Sequence, residues 1–117
     1  MLTWIVTVAE KYLISKSLHQ VELCSEEVIV NIIHHSKSEK IELSFQKNDK
    51  EIHISFRDNG IEFNPLKQQS LINKEASLEE RSIGGLGIPI IRSFMDKIKY
   101  QRINHCNHLT ISKKRNY

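Results

Sequence analysis

Two stretches of strict alternation constrain this chain more than anything else in it. Ile41, Leu43 and Phe45 alternate with polar residues, and after the turn Asn48-Asp49-Lys50 the pattern resumes at Ile52, Ile54 and Phe56. A period of two sends one set of side chains to one sheet face and the rest to the other. The segment therefore predicts an antiparallel hairpin with one polar face and one apolar face that something must cover. Cover is available on both flanks. Residues 2–15 place Leu2, Ile5, Val6, Ala9, Tyr12 and Leu13 at helical spacing, and a second periodic segment runs over about 19–36. A third helix is predicted from Gly87 to Lys97, ahead of a closing hairpin of Ile98–Arg102 and His108–Ser112 that turns at Asn104–Asn107. The order helix, helix, hairpin, loop, helix, hairpin reads as an α+β fold with a mostly antiparallel sheet covered on one face by about three helices.

Residues 64–83 break the periodicity with polar residues, with Pro65 near their start and glycines directly after their end. A loop of that length inside a small domain is usually functional or mobile. No repeat or linker divides the 117 residues, which read as one domain over 1–117. Charge is scattered at net +3, and the one basic run, Lys113-Lys114-Arg115, reads as a solvated tail. A nucleic-acid surface would need a basic face with interleaved aromatics, so no direct nucleic-acid partner is expected. Cys24 and Cys106 are far apart and form no CxxC pair, which argues against a disulfide scaffold. No apolar run reaches membrane-spanning length and the N-terminus has no signal-peptide pattern, so the expected location is cytoplasmic.

Three segments carry chemistry. In the second helix, Leu23, Cys24, Val28, Ile29, Val30, Ile32 and Ile33 cover most of the circumference, while Glu27, Asn31 and His34 form one polar stripe at i, i+4 and i+7. A carboxylate in such a helix either faces a polar cleft or marks an exposed edge. Arg57-Asp58-Asn59-Gly60 follows the alternating strand; alone it is an ordinary turn, yet it stands at a strand end, where ligand sites are frequent. Ile83-Gly84-Gly85-Leu86-Gly87-Ile88-Pro89 frees the backbone for close approach and leads into a helix, whose first N–H groups suit a phosphate. It is neither a P-loop nor a dinucleotide fingerprint. His105, Cys106 and His108 raise a metal site, but neighbours on a strand point to opposite faces and a polar hairpin tip is the ordinary explanation.

In this order the three segments resemble the N, G1 and G2 boxes of the GHKL ATPase superfamily, and within it the chain is similar to the anti-sigma-factor serine kinases. Asp58-Asn59-Gly60-Ile61-Glu62-Phe63-Asn64-Pro65-Leu66 resembles the family's D-x-G-x-x-F-D-P. Leu78 to Ile88, Ile91 to Asp96 and Asn107 to Lys113 look like its lid-to-glycine passage, following helix and last strand. The resemblance implies the Bergerat fold, a two-layer α/β sandwich with a mixed, mostly antiparallel sheet, and ATP with Mg²⁺ as cofactors. It implies that Asp58 accepts from the adenine amino group, that Gly60 lets the ring lie close, and that Thr110 completes the base network. Phe63 is expected to supply an apolar wall. Asn31 is implied as the Mg²⁺ ligand, Gly84, Gly85, Leu86 and Gly87 as phosphate donors, residues 64–83 as the lid, and Glu27 as the general base acting on a serine hydroxyl.

The family pattern further implies a sigma factor and a STAS-type anti-anti-sigma protein as partners, a homodimer, and a role in transcription regulation. Members usually begin with a strand, so here that strand is either missing or supplied as a remnant by residues 1–4. Two other functions compete with the kinase. One is a nucleotide-dependent binding module without phosphotransfer, against which Glu27 counts. The other is the catalytic fragment of a sensor histidine kinase, which would want a second helical hairpin carrying a phosphoacceptor histidine.

Overall fold

The computed structural model describes residues 1–68 and 87–115. Both alternating stretches form strands, β1 (Ile41–Lys47) and β2 (Glu51–Asp58), paired antiparallel with Leu43 opposite Phe56 and Phe45 opposite Ile54. The closing hairpin is β3 (Lys97–Ile103) and β4 (Cys106–Lys114). Because β4 pairs with β2 as well as β3, the sheet order is β1-β2-β4-β3 and the last strand lies inside the sheet. Every pairing among the described residues is antiparallel, so the sheet is not mixed there. Residues 2–4 are helical, which removes residues 1–4 as a strand remnant.

Helices cover one face. α1 (Leu2–Ala9) packs on α2 (Ser15–Asn31), which continues as a π-helical turn, Ile32–Ser36. A short α3 (Pro65–Gln68) follows β2, and α4 (Gly87–Phe94) packs on α2. The continuous helix expected over 2–15 stops at Ala9, because the chain turns there to stack Tyr12 on Phe45 of β1, with ring centroids 5.7 Å apart. That contact outweighs the helical spacing of Tyr12 and Leu13. α4 ends at Phe94 rather than Lys97: Lys113, reaching from β4, donates through Nζ to Phe94 O at 2.6 Å and satisfies a terminal carbonyl.

The core lies between helices and sheet, with Ile5, Val28, Ile54, Phe56, Ile91 and Ile111 fully buried. On the other sheet face, polar residues pair across strands: Ser55 with Thr110 at 2.9 Å, His53 Nδ1 with Ser112 Oγ at 2.7 Å, and Arg57 with Glu42 at 2.8 Å. The β3–β4 turn needs only Asn104 and His105, both at positive φ (51° and 63°), as a two-residue hairpin of the primed type requires. Cys106 and Asn107, expected in the turn, are therefore strand residues, and that shift matters at the site.

Candidate functional site

The site is built where the C-terminal end of α2 meets the end of β2. Burial on α2 follows positions 17, 21, 24, 25, 28, 31 and 32, the i+3/i+4 spacing of a helix laid on a core. Asn31 thus belongs to the buried face and is 3% exposed, Glu27 one turn earlier is half-buried, and His34 is exposed. The stripe read from spacing is therefore buried at its middle residue and more open at both ends. Neither Oδ1 nor Nδ2 of Asn31 has a hydrogen-bond partner among the described residues. Buried carboxamides are nearly always paired, so this one is suited to partners from outside the described fold. Burial, and secondarily the charge of Glu26, pushes the Glu27 carboxyl above its usual range.

The π-helical turn after Asn31 fixes how helix and strand end meet; such turns recur at functional sites. Lys37 N–H closes on Ile32 O at 3.0 Å, and Lys37 itself takes a left-handed conformation that ends the helix. Ser36 is left pointing at the turn after β2. Its carbonyl accepts Ile61 N–H at 2.8 Å, and a Cβ placed on Gly60 would lie 2.1 Å from that same oxygen. Only glycine permits this approach, which is a packing reason for Gly60 independent of any ligand.

Asp58 occupies the last in-phase position of β2, in line with Ile52, Ile54 and Phe56, so its side chain enters the helix-facing side and is 3% exposed. Its Oδ1 accepts Gly60 N–H at 2.9 Å and Asn107 Nδ2–H at 3.0 Å. Asn107, directly opposite Asp58 in the register, also donates to Ile61 O (2.8 Å) and Ser36 Oγ (3.2 Å). Its Oδ1 accepts from Phe63 N–H (3.2 Å) and Tyr100 O–H (2.5 Å). Phe63 is half-buried and stacks on His35, centroids 4.4 Å apart, giving the expected apolar wall a second ring. Asn64 accepts Leu66 N–H and places Pro65 in the first turn of α3, where a missing N–H costs nothing.

Thr110 is not part of this arrangement. Its register partner is Ser55, to which it bonds at 2.9 Å on the uncovered sheet face, away from Asp58. A strand position alternates faces residue by residue, and 110 is out of phase with the buried 109 and 111. The residue that faces Asp58 is Asn107. The parity rule that found Asp58's face could have found it: the partner of an even β2 position in phase with Phe56 must share phase with Leu109. Gly87 opens α4, while Gly84, Gly85, Leu86 and lid residues 69–83 lie outside the described residues. No group of three His, Cys, Asp or Glu among the described residues could hold a metal, so His105, Cys106 and His108 form no such cluster.

The described fold thus gathers a buried, unpartnered carboxamide, a half-buried carboxylate one turn away and a buried aspartate at the adjoining strand end. The profile of the histidine kinase-like ATPase domain matches residues 1–113, and the chain belongs to that family. The chain is also similar to the serine/threonine-protein kinase BtrW of Bordetella bronchiseptica, 33% identical over 95 residues. That match covers 77% of this chain and 66% of the relative, so the chain spans just under two thirds of the relative's length. Among the described residues, no helix is long and apolar enough to cross a membrane.

Proposed function

We propose that this domain binds Mg-ATP and works as a GHKL-type serine/threonine-protein kinase, an anti-sigma factor that binds a sigma factor and phosphorylates a serine on an anti-anti-sigma protein. The observation that carries the reading is the order of groups along α2. Ser36 meets the Asp58–Gly60 turn, Asn31 lies about one and a half turns back, and Glu27 one turn further. At about 1.5 Å of rise per residue, Glu27 is roughly 13 Å from Ser36, close to the reach of a nucleoside triphosphate from base to γ-phosphate. That span accommodates a nucleotide with its base at Asp58, metal and phosphates at Asn31 and γ-phosphate at Glu27.

Each residue has a defined task in that arrangement. Asp58 accepts a hydrogen bond from the base amino group, worth about 1.5–3 kcal/mol for a charged acceptor. Asn31 fits Mg²⁺, since its buried amide oxygen lacks a protein partner and a hard oxygen donor is what that ion takes, with phosphates and waters filling the other positions. The ion supplies charge neutralisation on the phosphates when bound. Glu27 takes the proton of the serine hydroxyl as its oxygen bonds to the γ-phosphorus and the bond to the ADP oxygen breaks. A carboxylate whose burial raises its basicity is suited to that role. The name of the relative as a serine/threonine-protein kinase agrees with it.

The test is incubation with Mg-ATP and candidate anti-anti-sigma proteins, read by mass spectrometry for phosphoserine. Glu27→Gln is expected to spare ATP affinity and abolish phosphate transfer. Phosphoserine formed at the wild-type rate by Glu27→Gln would remove Glu27 as the base.

A further inference from the structure

Resting on the nucleotide site just proposed, a second layer of that site is visible in the hydrogen bonds around Asp58. Asn107 is 3% exposed, and every polar atom of its side chain is engaged with a named partner. The orientation of its carboxamide is over-determined. Phe63 N–H and Tyr100 O–H are donors aimed at one end, while Ile61 C=O and the Asp58 carboxylate are acceptors at the other. Turning the amide over would set two donors against Nδ2 and two acceptors against Oδ1, losing all four bonds in a buried place. Tyr100 stands beside it on the covered side of β3, opposite Leu109 of β4. Burial, then the nearby Glu62 charge, holds the Tyr100 phenol above its ordinary value, so it remains a donor at neutral pH.

We propose that Asn107 and Tyr100 are positioning residues for base selection. Tyr100 fixes the Asn107 carboxamide, and Asn107 with Gly60 N–H saturates Asp58 Oδ1, leaving Oδ2 as the acceptor offered to a ligand amino group. Both hydrogen bonds that the described residues make to the carboxylate land on Oδ1. A carboxylate held by two bonds to one oxygen cannot rotate to share both oxygens with the ligand. It therefore selects a base with an amino group and rejects one presenting a carbonyl there. Asn107 ties the same selection to the fold, since it bonds the helix end at Ser36 and the backbone at Ile61 and Phe63.

The experiment is calorimetric titration of the full chain, with Mg²⁺ present, by ATP and by purine riboside 5′-triphosphate, which lacks only the amino group. Wild type should prefer ATP by about tenfold or more, the worth of one hydrogen bond to a charged acceptor. Tyr100→Phe removes one hydroxyl from a half-buried ring and should cut that preference by roughly threefold to tenfold. ATP alone should weaken, with the analogue within about twofold of wild type. Asn107→Leu should erase the preference; if it fails to fold, Tyr100→Phe decides alone. A purely structural role predicts parallel weakening of both ligands, and that result, like an unchanged preference in both variants, overturns the assignment. Wild type binding neither nucleotide would overturn the ATP-site reading itself and this inference with it. Wild type preferring ATP alongside unaltered variants overturns only the roles of Asn107 and Tyr100.

Discussion

Glu27 carries opposite consequences for catalysis and for stability. Burial raises its pKa in the fold, so on acidification it takes a proton earlier than a free glutamate. Phosphotransfer should therefore fall off above the ordinary carboxylate range as pH drops, measured as initial rates of phosphoserine formation against pH. The sign for stability is the reverse of the usual paired carboxylate. A raised folded pKa means that the charged form is disfavoured in the fold, a cost absent below the unfolded pKa and complete above the folded one. Glu27→Gln should melt higher than wild type at pH 8, and the gap should close near pH 4. Calorimetric scans with no gap at pH 8 would show that the carboxylate is well solvated. Glu27 and Asn31 were readable in the sequence because polar residues in an apolar helix need a reason. Asn107 does not stand out as a site residue, because an asparagine beside a turn looks like turn chemistry until the hairpin is known to close in two residues.

At the scale of elements, the junction of α2 with the β2 turn is the most demanding contact. Gly60→Ala would drive a Cβ into the Ser36 carbonyl, backbone against backbone, with no flexible side chain to yield. Overpacking of that kind costs about 1–3 kcal/mol or more, so denaturant titration should show a loss of at least that size. The β3–β4 turn offers the opposite sign. His105 is a bulky residue at φ 63°, and His105→Gly should gain roughly 0.5–1 kcal/mol by relieving left-handed strain, visible in the same titration. Both hairpins were legible because alternation and turn residues are local signals. The π-helical turn at Ile32–Ser36 was not, since its wider hydrogen bonding leaves no mark in composition. The break between α1 and α2 escaped for another reason: Tyr12 stacks on a strand nearly three dozen residues away.

For the molecule as a whole, the site lies across separate parts of the fold: α2 and its π-helical turn, the end of β2, and β3 with β4. None of these sets Asp58, Asn31 and Glu27 in relation to one another when unfolded, so nucleotide binds only the folded chain. Ligand at a hundredfold excess over Kd then stabilises the fold by about 2.7 kcal/mol. For a chain of this size that corresponds to a rise in Tm of about 10 °C. Asp58→Asn keeps the shape but replaces a charged acceptor with an amide, and should raise Kd by about tenfold or more. At the same ATP concentration the variant's shift should fall to about half or less, because stabilisation follows the logarithm of one plus the ratio of ligand concentration to Kd. Thermal unfolding with and without Mg-ATP measures this directly. An undiminished shift in Asp58→Asn would place the base elsewhere and leave Asp58 only its bonds to Gly60 and Asn107.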